Sequence, residues 1–130
     1  MSTTITESRP MDFTTALDRH LAAVHARDLA GYMATVHDEA TVILPHGRTV
    51  TGAEAVRAFH QGWFADPDWT METEAVRTVV HQDTAVAVLD VHYRDLDEDG
   101  KPYALRYLLS LVFARTDGNW LLVHDQNTLC

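Results

Sequence analysis

The sequence has 130 residues, enough for one domain that buries about two thirds of the surface its unfolded chain exposes. Its net charge of −9, with Lys101 the only lysine and the arginines scattered, leaves no basic face for phosphate contacts and argues against a nucleic-acid partner. The one cysteine, Cys130, has no intrachain partner, no Cys/His spacing resembles a zinc site, and no run approaches the ~20 apolar residues of a membrane span.

A reduced, cytoplasmic protein without metal, cofactor or membrane attachment is the expectation that follows. Residues 1–10 are rich in Ser and Thr, carry no apolar run of the kind a signal peptide needs, and read as a disordered tail. The remainder, 11–130, reads as a single domain.

The first helix is predicted from about Asp12 to Arg27, because Phe13, Leu17, His20, Leu21 and Val24 fall on one stripe of a 3.6-residue period. A second, shorter helix follows with Asp28 as N-cap and Leu29, Tyr32, Met33 and Val36 as its apolar face, closed by Asp38-Glu39. Ala40 to Leu44 is a β-rich run stopped by Pro45, and Thr49-Val50-Thr51 adds a short strand after the His46-Gly47-Arg48 turn. Gly52 leads into a third helix ending near Ala65, with Val56, Phe59, His60 and Trp63 on its stripe. Asp66-Pro67-Asp68 breaks it.

Four long strands are then predicted at 69–80, 83–95, 102–115 and 119–128, joined by short connections that favour sequential antiparallel hairpins. Three helices followed by a long-stranded antiparallel sheet is an α+β layout, with the helices packed on one sheet face. Strands of this length twist and curl. The expected shape is therefore a cone-like α+β barrel with an internal hollow fit for a small molecule.

The order of elements, together with Asp38-Glu39-Ala40-Thr41-Val42, Thr51-Gly52-Ala53-Glu54-Ala55-Val56 and Asp117-Gly118-Asn119-Trp120, resembles the nuclear transport factor 2-like, or SnoaL-like, superfamily. The closing Val123-His124-Asp125-Gln126-Asn127-Thr128 is similar to the SgcJ/EcaC group, which includes proteins encoded with enediyne polyketide pathways. A more distant likeness is to the association domain of calcium/calmodulin-dependent protein kinase II. The resemblance implies the cone fold and not a function, since this scaffold hosts isomerases, dehydratases, cyclases, hydrolases and binding modules.

Departures from the family patterns matter. Where ketosteroid isomerases of the superfamily carry a general-base Asp after the first strand, this chain has Ile43, Leu44 and Pro45. Where they carry an oxyanion-donor Tyr on the first helix, an ungapped match gives His20, and Leu108-Leu109-Ser110-Leu111 stands near their buried Asp. The pocket arginines of the kinase association domain correspond to Val91, Leu111 and Asn127. Neither the isomerase mechanism nor an arginine-based carboxylate site is implied.

Among individual residues, His60 lies on the inward stripe of the third helix beside Phe59 and Trp63. Its ordinary pKa of about 6.5 suits a general acid or base, and a core histidine held by one hydrogen bond is the plainer reading. His20 and Tyr32 carry the same two readings. Trp63, Trp69 and Tyr107 are candidate apolar walls, and His92 with Asp90 and Arg94 reads as an outer or dimer-facing row.

On the last strand, Asp125 and Asn127 share one face while His124, Gln126 and Thr128 share the other. A two-residue Asp-Gly loop pairs Ser110 with Asp125, whereas a three-residue loop pairs Leu109 with Asp125 and Tyr107 with Asn127. The likeness to the kinase association domain implies that Asp125 and Asn127 face inward. A buried Asp among Leu and Tyr side chains has a raised pKa, so His60 and Asp125 form a candidate acid/base pair.

Two functions fit these residues. One is a binding protein that holds a hydrophobic, polyketide- or enediyne-like molecule through Tyr32, Phe59, Trp63, Trp69, Tyr107 and Asn127. The other is a cofactor-independent cyclase, isomerase or dehydratase using His60 and Asp125. Apolar residues on both faces of the strand from Tyr103 to Phe113 further predict a homodimer through the outer sheet face.

Overall fold

The computed structural model describes residues 12–130. The tail expected over residues 1–10 lies outside them. Helix α1 spans Phe13–His25, its N-terminus capped by the Asp12 carboxylate accepting from the Thr15 amide at 2.8 Å. Helix α2 is a single turn and a half, Leu29–Met33, capped in the same way by Asp28 on the Gly31 amide at 3.0 Å.

Strand β1 then runs Val36–Ile43, beginning four residues before the expected Ala40. Val36 is the reason for the difference: its apolar side chain fits a strand as well as a helix stripe, and Val36 pairs with Leu122. Asp38-Glu39 does not close a helix. It bulges outward between the Val36–Leu122 and Thr41–His124 pairings, where both side chains reach solvent.

Strand β2 is Thr49–Thr51, helix α3 is Ala53–Phe64, and the long strands are β3 Thr70–His81, β4 Thr84–Leu96, β5 Pro102–Thr116 and β6 Asn119–Leu129. They form one sheet in the order β2-β1-β6-β5-β4-β3. Every pairing is antiparallel except β1 with β6, which is parallel because the chain crosses from one to the other through β2, helix α3 and the whole β3–β5 meander. The sheet is an open, curved cone and does not close into a barrel, since β2 and β3 are free edges.

Alternation along β4 and β5 sends Ala85, Ala87, Leu89, Val91 and Tyr93, with Tyr107, Leu109, Leu111 and Phe113, into the core under the helices. Phe13 of α1 anchors that layer, edge-on to Phe113 at 5.2 Å and to Trp120 at 5.5 Å. Two further bulges, at Val76 in β3 and Val123 in β6, add the twist that hollows the sheet.

The Val123 bulge decides which side chains of β6 look inward. The hairpin turns through two residues, Asp117 and Gly118, both at positive φ (52° and 83°), and pairs Thr116 with Asn119. That register holds to Phe113–Leu122, after which the extra residue Val123 shifts it, so Leu111 faces Asp125 and Leu109 faces Asn127. The two-residue Asp-Gly loop is the one adopted, but the bulge at Val123 replaces the Ser110–Asp125 pairing expected from it. The outcome for the faces is nonetheless that of the three-residue alternative: Asp125 and Asn127 point in, Gln126 and Thr128 point out.

Candidate functional site

Between the helices and the hollow of the sheet lies a cavity of about 460 Å³. Its walls are mostly apolar, with Leu21 and Val24 from α1, Val42 and Leu44 from β1, and Leu105 and Leu109 from β5. Polar groups gather in part of the lining: His20, Tyr32, His60, Tyr107, Asp125 and Asn127. Of the residues expected to form the site, His60, Asp125, Tyr32, Phe59, Trp63, Tyr107 and Asn127 all line this one cavity.

Trp69 does not line it. Its ring stacks behind Trp63 at 4.4 Å, its indole N–H donates to the Trp63 carbonyl at 2.9 Å, and the Arg27 guanidinium covers its other face at 3.9 Å. Arg27 also donates to the carbonyls of Asp66 and Trp69. Trp69 is thus a second layer that holds Trp63 in place. Trp63 in turn donates to the Tyr93 hydroxyl at 3.1 Å, and Tyr93 donates to Asp95 at 2.9 Å.

Hydrogen bonding fixes the tautomers of both buried histidines. The Thr35 hydroxyl spends its one proton on the Tyr32 carbonyl at 2.6 Å, so the 2.7 Å bond between Thr35 and His20 must be donated by His20 Nδ1. His60 Nδ1 likewise donates to the Val56 carbonyl at 2.8 Å, one turn back on α3. Nε2 is therefore the nitrogen with the lone pair on each neutral ring.

Burial lowers the pKa of His20 to about 3, with a further push from His60, and that of His60 to about 4 against a small opposing effect of the Val56 carbonyl. His60 is therefore neutral at working pH, and the pKa near 6.5 expected from its residue type does not hold. Desolvation is the cause, since the ring sits between Tyr32 at 4.1 Å and Phe59 at 5.1 Å.

Asp125 moves the other way. It is the buried acid of the cavity, and desolvation raises its pKa to about 7, only partly offset by the Asn127 amide donating to Oδ1 at 3.0 Å. The second Asn127 amide hydrogen goes to the Ile43 carbonyl at 2.7 Å, which ties β6 to β1 at the site. Tyr32 is 1% exposed, and its hydroxyl finds no hydrogen-bond partner among the described residues. Burial and the nearby Asp125 carboxylate raise its pKa well above the ordinary 10, so it stays protonated.

Sequence reasoning does not find Thr35, whose hydroxyl sets the His20 tautomer, nor Arg27, whose φ of +55° places it behind the aromatic wall. Their roles depend on long-range contacts without a local pattern. Pro45 was legible only as the end of β1, yet it also lines the cavity. The His92 row lies on the outer sheet face, where Asp90 receives two hydrogen bonds from Arg106 and has His92 at 3.9 Å. Among the described residues no three His, Cys, Asp or Glu side chains converge as metal ligands would, and no helix is long and apolar enough to cross a membrane.

Similar folds are found among solved structures. A candidate association domain of calcium/calmodulin-dependent protein kinase type II from Thiobacillus denitrificans superposes with a TM-score of 0.77 at 22% identity, covering 94% of this chain and 98% of that one. A ketosteroid isomerase-like protein from Erwinia carotovora gives 0.77 at 16%, covering 89% and 92%. A nuclear transport factor 2-like superfamily protein from Salmonella enterica gives 0.74 at 19%, covering 89% and 87%. At these identities the likeness is one of fold. No curated protein matches the chain in sequence. Residues 14–127 match the family described as the SnoaL-like domain, a span that reaches into every helix and strand above, and the chain belongs to that family.

Proposed function

We propose that this protein binds a hydrophobic small molecule inside the cone. The observation that carries the reading is the cavity itself: about 460 Å³ of mostly apolar wall with a few buried polar groups, the composition of a small-molecule site. A hydrophobic product or intermediate of polyketide- or enediyne-like biosynthesis is the proposed ligand class. Its support is the likeness of the Val123 to Thr128 ending to the SgcJ/EcaC group. Nile red, a neutral apolar dye, tests the reading. Its emission should rise on mixing with the protein and should fail to rise with Leu109→Trp, which fills the cavity. Equal dye binding by both proteins, with both folded, would place the dye elsewhere and defeat the proposal.

A second reading, cofactor-independent acid/base catalysis, is favoured by one observation. Asp125 is a buried carboxylate brought to about 7, the range in which a general acid or base works near neutral pH. His60, neutral and tied by Nδ1, serves here as an acceptor through Nε2 and not as a proton donor. Asp125→Asn should abolish deuterium exchange at the α-carbon of a bound ketone. If the ketone binds and no exchange occurs even with Asp125 intact, the catalytic reading fails and the binding reading stands.

A homodimer through the outer sheet face belongs to the same proposal. Val79, Val86, Val88, Val112 and Leu121 line that face, with Leu108 37% exposed beside them. Sedimentation at twice 14.6 kDa is expected, and a sole species at 14.6 kDa would contradict it.

A further inference from the structure

The cavity's fixed hydrogen-bond donors are almost all committed, and the exception identifies a ligand chemistry. His60 Nδ1 is taken by the Val56 carbonyl, and His20 Nδ1 by Thr35. Both Asn127 amide hydrogens are taken by Ile43 and Asp125. The Tyr107 hydroxyl reaches only the Met71 sulfur, a weak acceptor, at 3.8 Å. Tyr32 Oη alone is a strong, fully buried donor with nothing to donate to among the described residues. Buried polar groups are nearly always paired, so the unpartnered donor of Tyr32, a residue that lines the cavity, marks where a guest's acceptor sits.

The charges of the wall restrict that acceptor. No arginine or lysine is among the lining residues. His20 and His60 are both held neutral by burial. His46 lines the cavity at an exposed position, where water screens it. The buried ionisable acid, Asp125, is negative whenever it is charged. An anionic guest would give up its hydration for a wall with no cation and one carboxylate.

We propose that the cavity selects an uncharged ligand whose carbonyl or similar oxygen accepts a hydrogen bond from Tyr32 Oη, and that it rejects carboxylates of the same shape. This rests on the reading that the cavity binds a small molecule. It adds what that reading leaves open: the polarity, charge and anchoring point of the ligand.

Three probes of one shape test it at pH 8: 2-acetylnaphthalene, its hydrocarbon isostere 2-isopropenylnaphthalene, and 2-naphthoate. The ketone should bind the protein, and the carboxylate at least tenfold more weakly. Tyr32→Phe should weaken the ketone about five- to tenfold, the effect of losing one hydrogen bond, and leave the hydrocarbon unchanged. Because Tyr32 Oη has no partner to lose, this variant should fold as well as the parent. Independently of any variant, the carbonyl stretch of the bound ketone should lie below its position in hexane. An unshifted carbonyl, equal loss of ketone and hydrocarbon on substitution, or naphthoate binding as tightly as the ketone would each overturn the proposal while leaving the cavity a binding site. If none of the three probes binds, the small-molecule reading falls with it.

Discussion

Replacing Asp125 by asparagine keeps the side-chain shape, and Oδ1 can still accept from Asn127, but the ionisable group is gone. The pKa of Asp125 is about 7 in the folded protein, against 3.8 for an ordinary aspartate. A carboxyl group whose folded value lies above its unfolded value holds its proton more tightly when folded. Stability from this group is therefore greatest below pH 4 and is lost as pH rises from about 4 to about 7. Each unit of that window is worth about 1.4 kcal/mol for one proton, so between pH 5 and pH 8 the parent should lose roughly 3 kcal/mol from this group. Asp125→Asn has no such loss. The difference in unfolding free energy between variant and parent, measured by urea denaturation, should therefore shift in the variant's favour by roughly 3 kcal/mol from pH 5 to pH 8. Taking the difference cancels the contributions of the histidines, which are common to both proteins. A gap that stays constant across this range would show that Asp125 ionises as freely in the fold as outside it, and the buried-acid account of the site would be wrong.

Other predictions follow from the same contacts. Both histidines have folded pKa values below the ordinary 6.5, so each makes the protein lose stability as pH falls from 6.5 towards 4; a urea series with His60→Gln should show this slope reduced by about one proton, and an unchanged slope would refute the neutral assignment. Thr35→Val leaves His20 Nδ1–H buried without an acceptor and should cost about 1–3 kcal/mol in urea denaturation. A cost near zero would mean that Thr35 does not set the tautomer. Arg27→Ala removes the cap on Trp69 and two hydrogen bonds to carbonyls, and should cost about 2 kcal/mol. It should also weaken Nile red binding, because Trp63 loses its support, and unaltered stability together with unaltered dye affinity would contradict that role.

Much of the fold was legible because its signals are local. Asp12 and Asp28 announce helix starts, Asp117-Gly118 announces a two-residue hairpin, and alternation along Ala85 to Tyr93 announces a half-buried strand. The start of β1 was missed because Val36 suits both a helix stripe and a strand, and only its pairing with Leu122 resolves the choice. The register of β6 was missed in detail for a related reason. A bulge at Val123 carries no glycine or other local mark, yet it sets which side chains face the cavity.

At the site, seven of the eight expected side chains line one cavity: residue types and periodicity report the inward face for Tyr32, Phe59, His60, Trp63 and Tyr107, whereas for Asp125 and Asn127 the inward face is implied by the family resemblance. The raised pKa of Asp125 follows from its inward position among Leu and Tyr side chains and agrees with expectation. The neutral state of His60 does not, because it comes from how completely neighbouring elements exclude water, which no spacing encodes. Trp69 was placed one layer too far in, because an apolar strand start looks the same whether it touches a cavity or the back of another tryptophan.

An uncharged, largely apolar molecule that enters the cone meets Tyr32 and Asp125. Titration of isotope-labelled protein with 2-acetylnaphthalene, followed by amide chemical shifts, shows whether it does. Saturable shifts are expected at Tyr32, His60, Leu109, Asp125 and Asn127, with little change at Leu108, Gln126 and Thr128 on the outer face. Shifts confined to the outer face, or none at all with the ketone in excess, would contradict it.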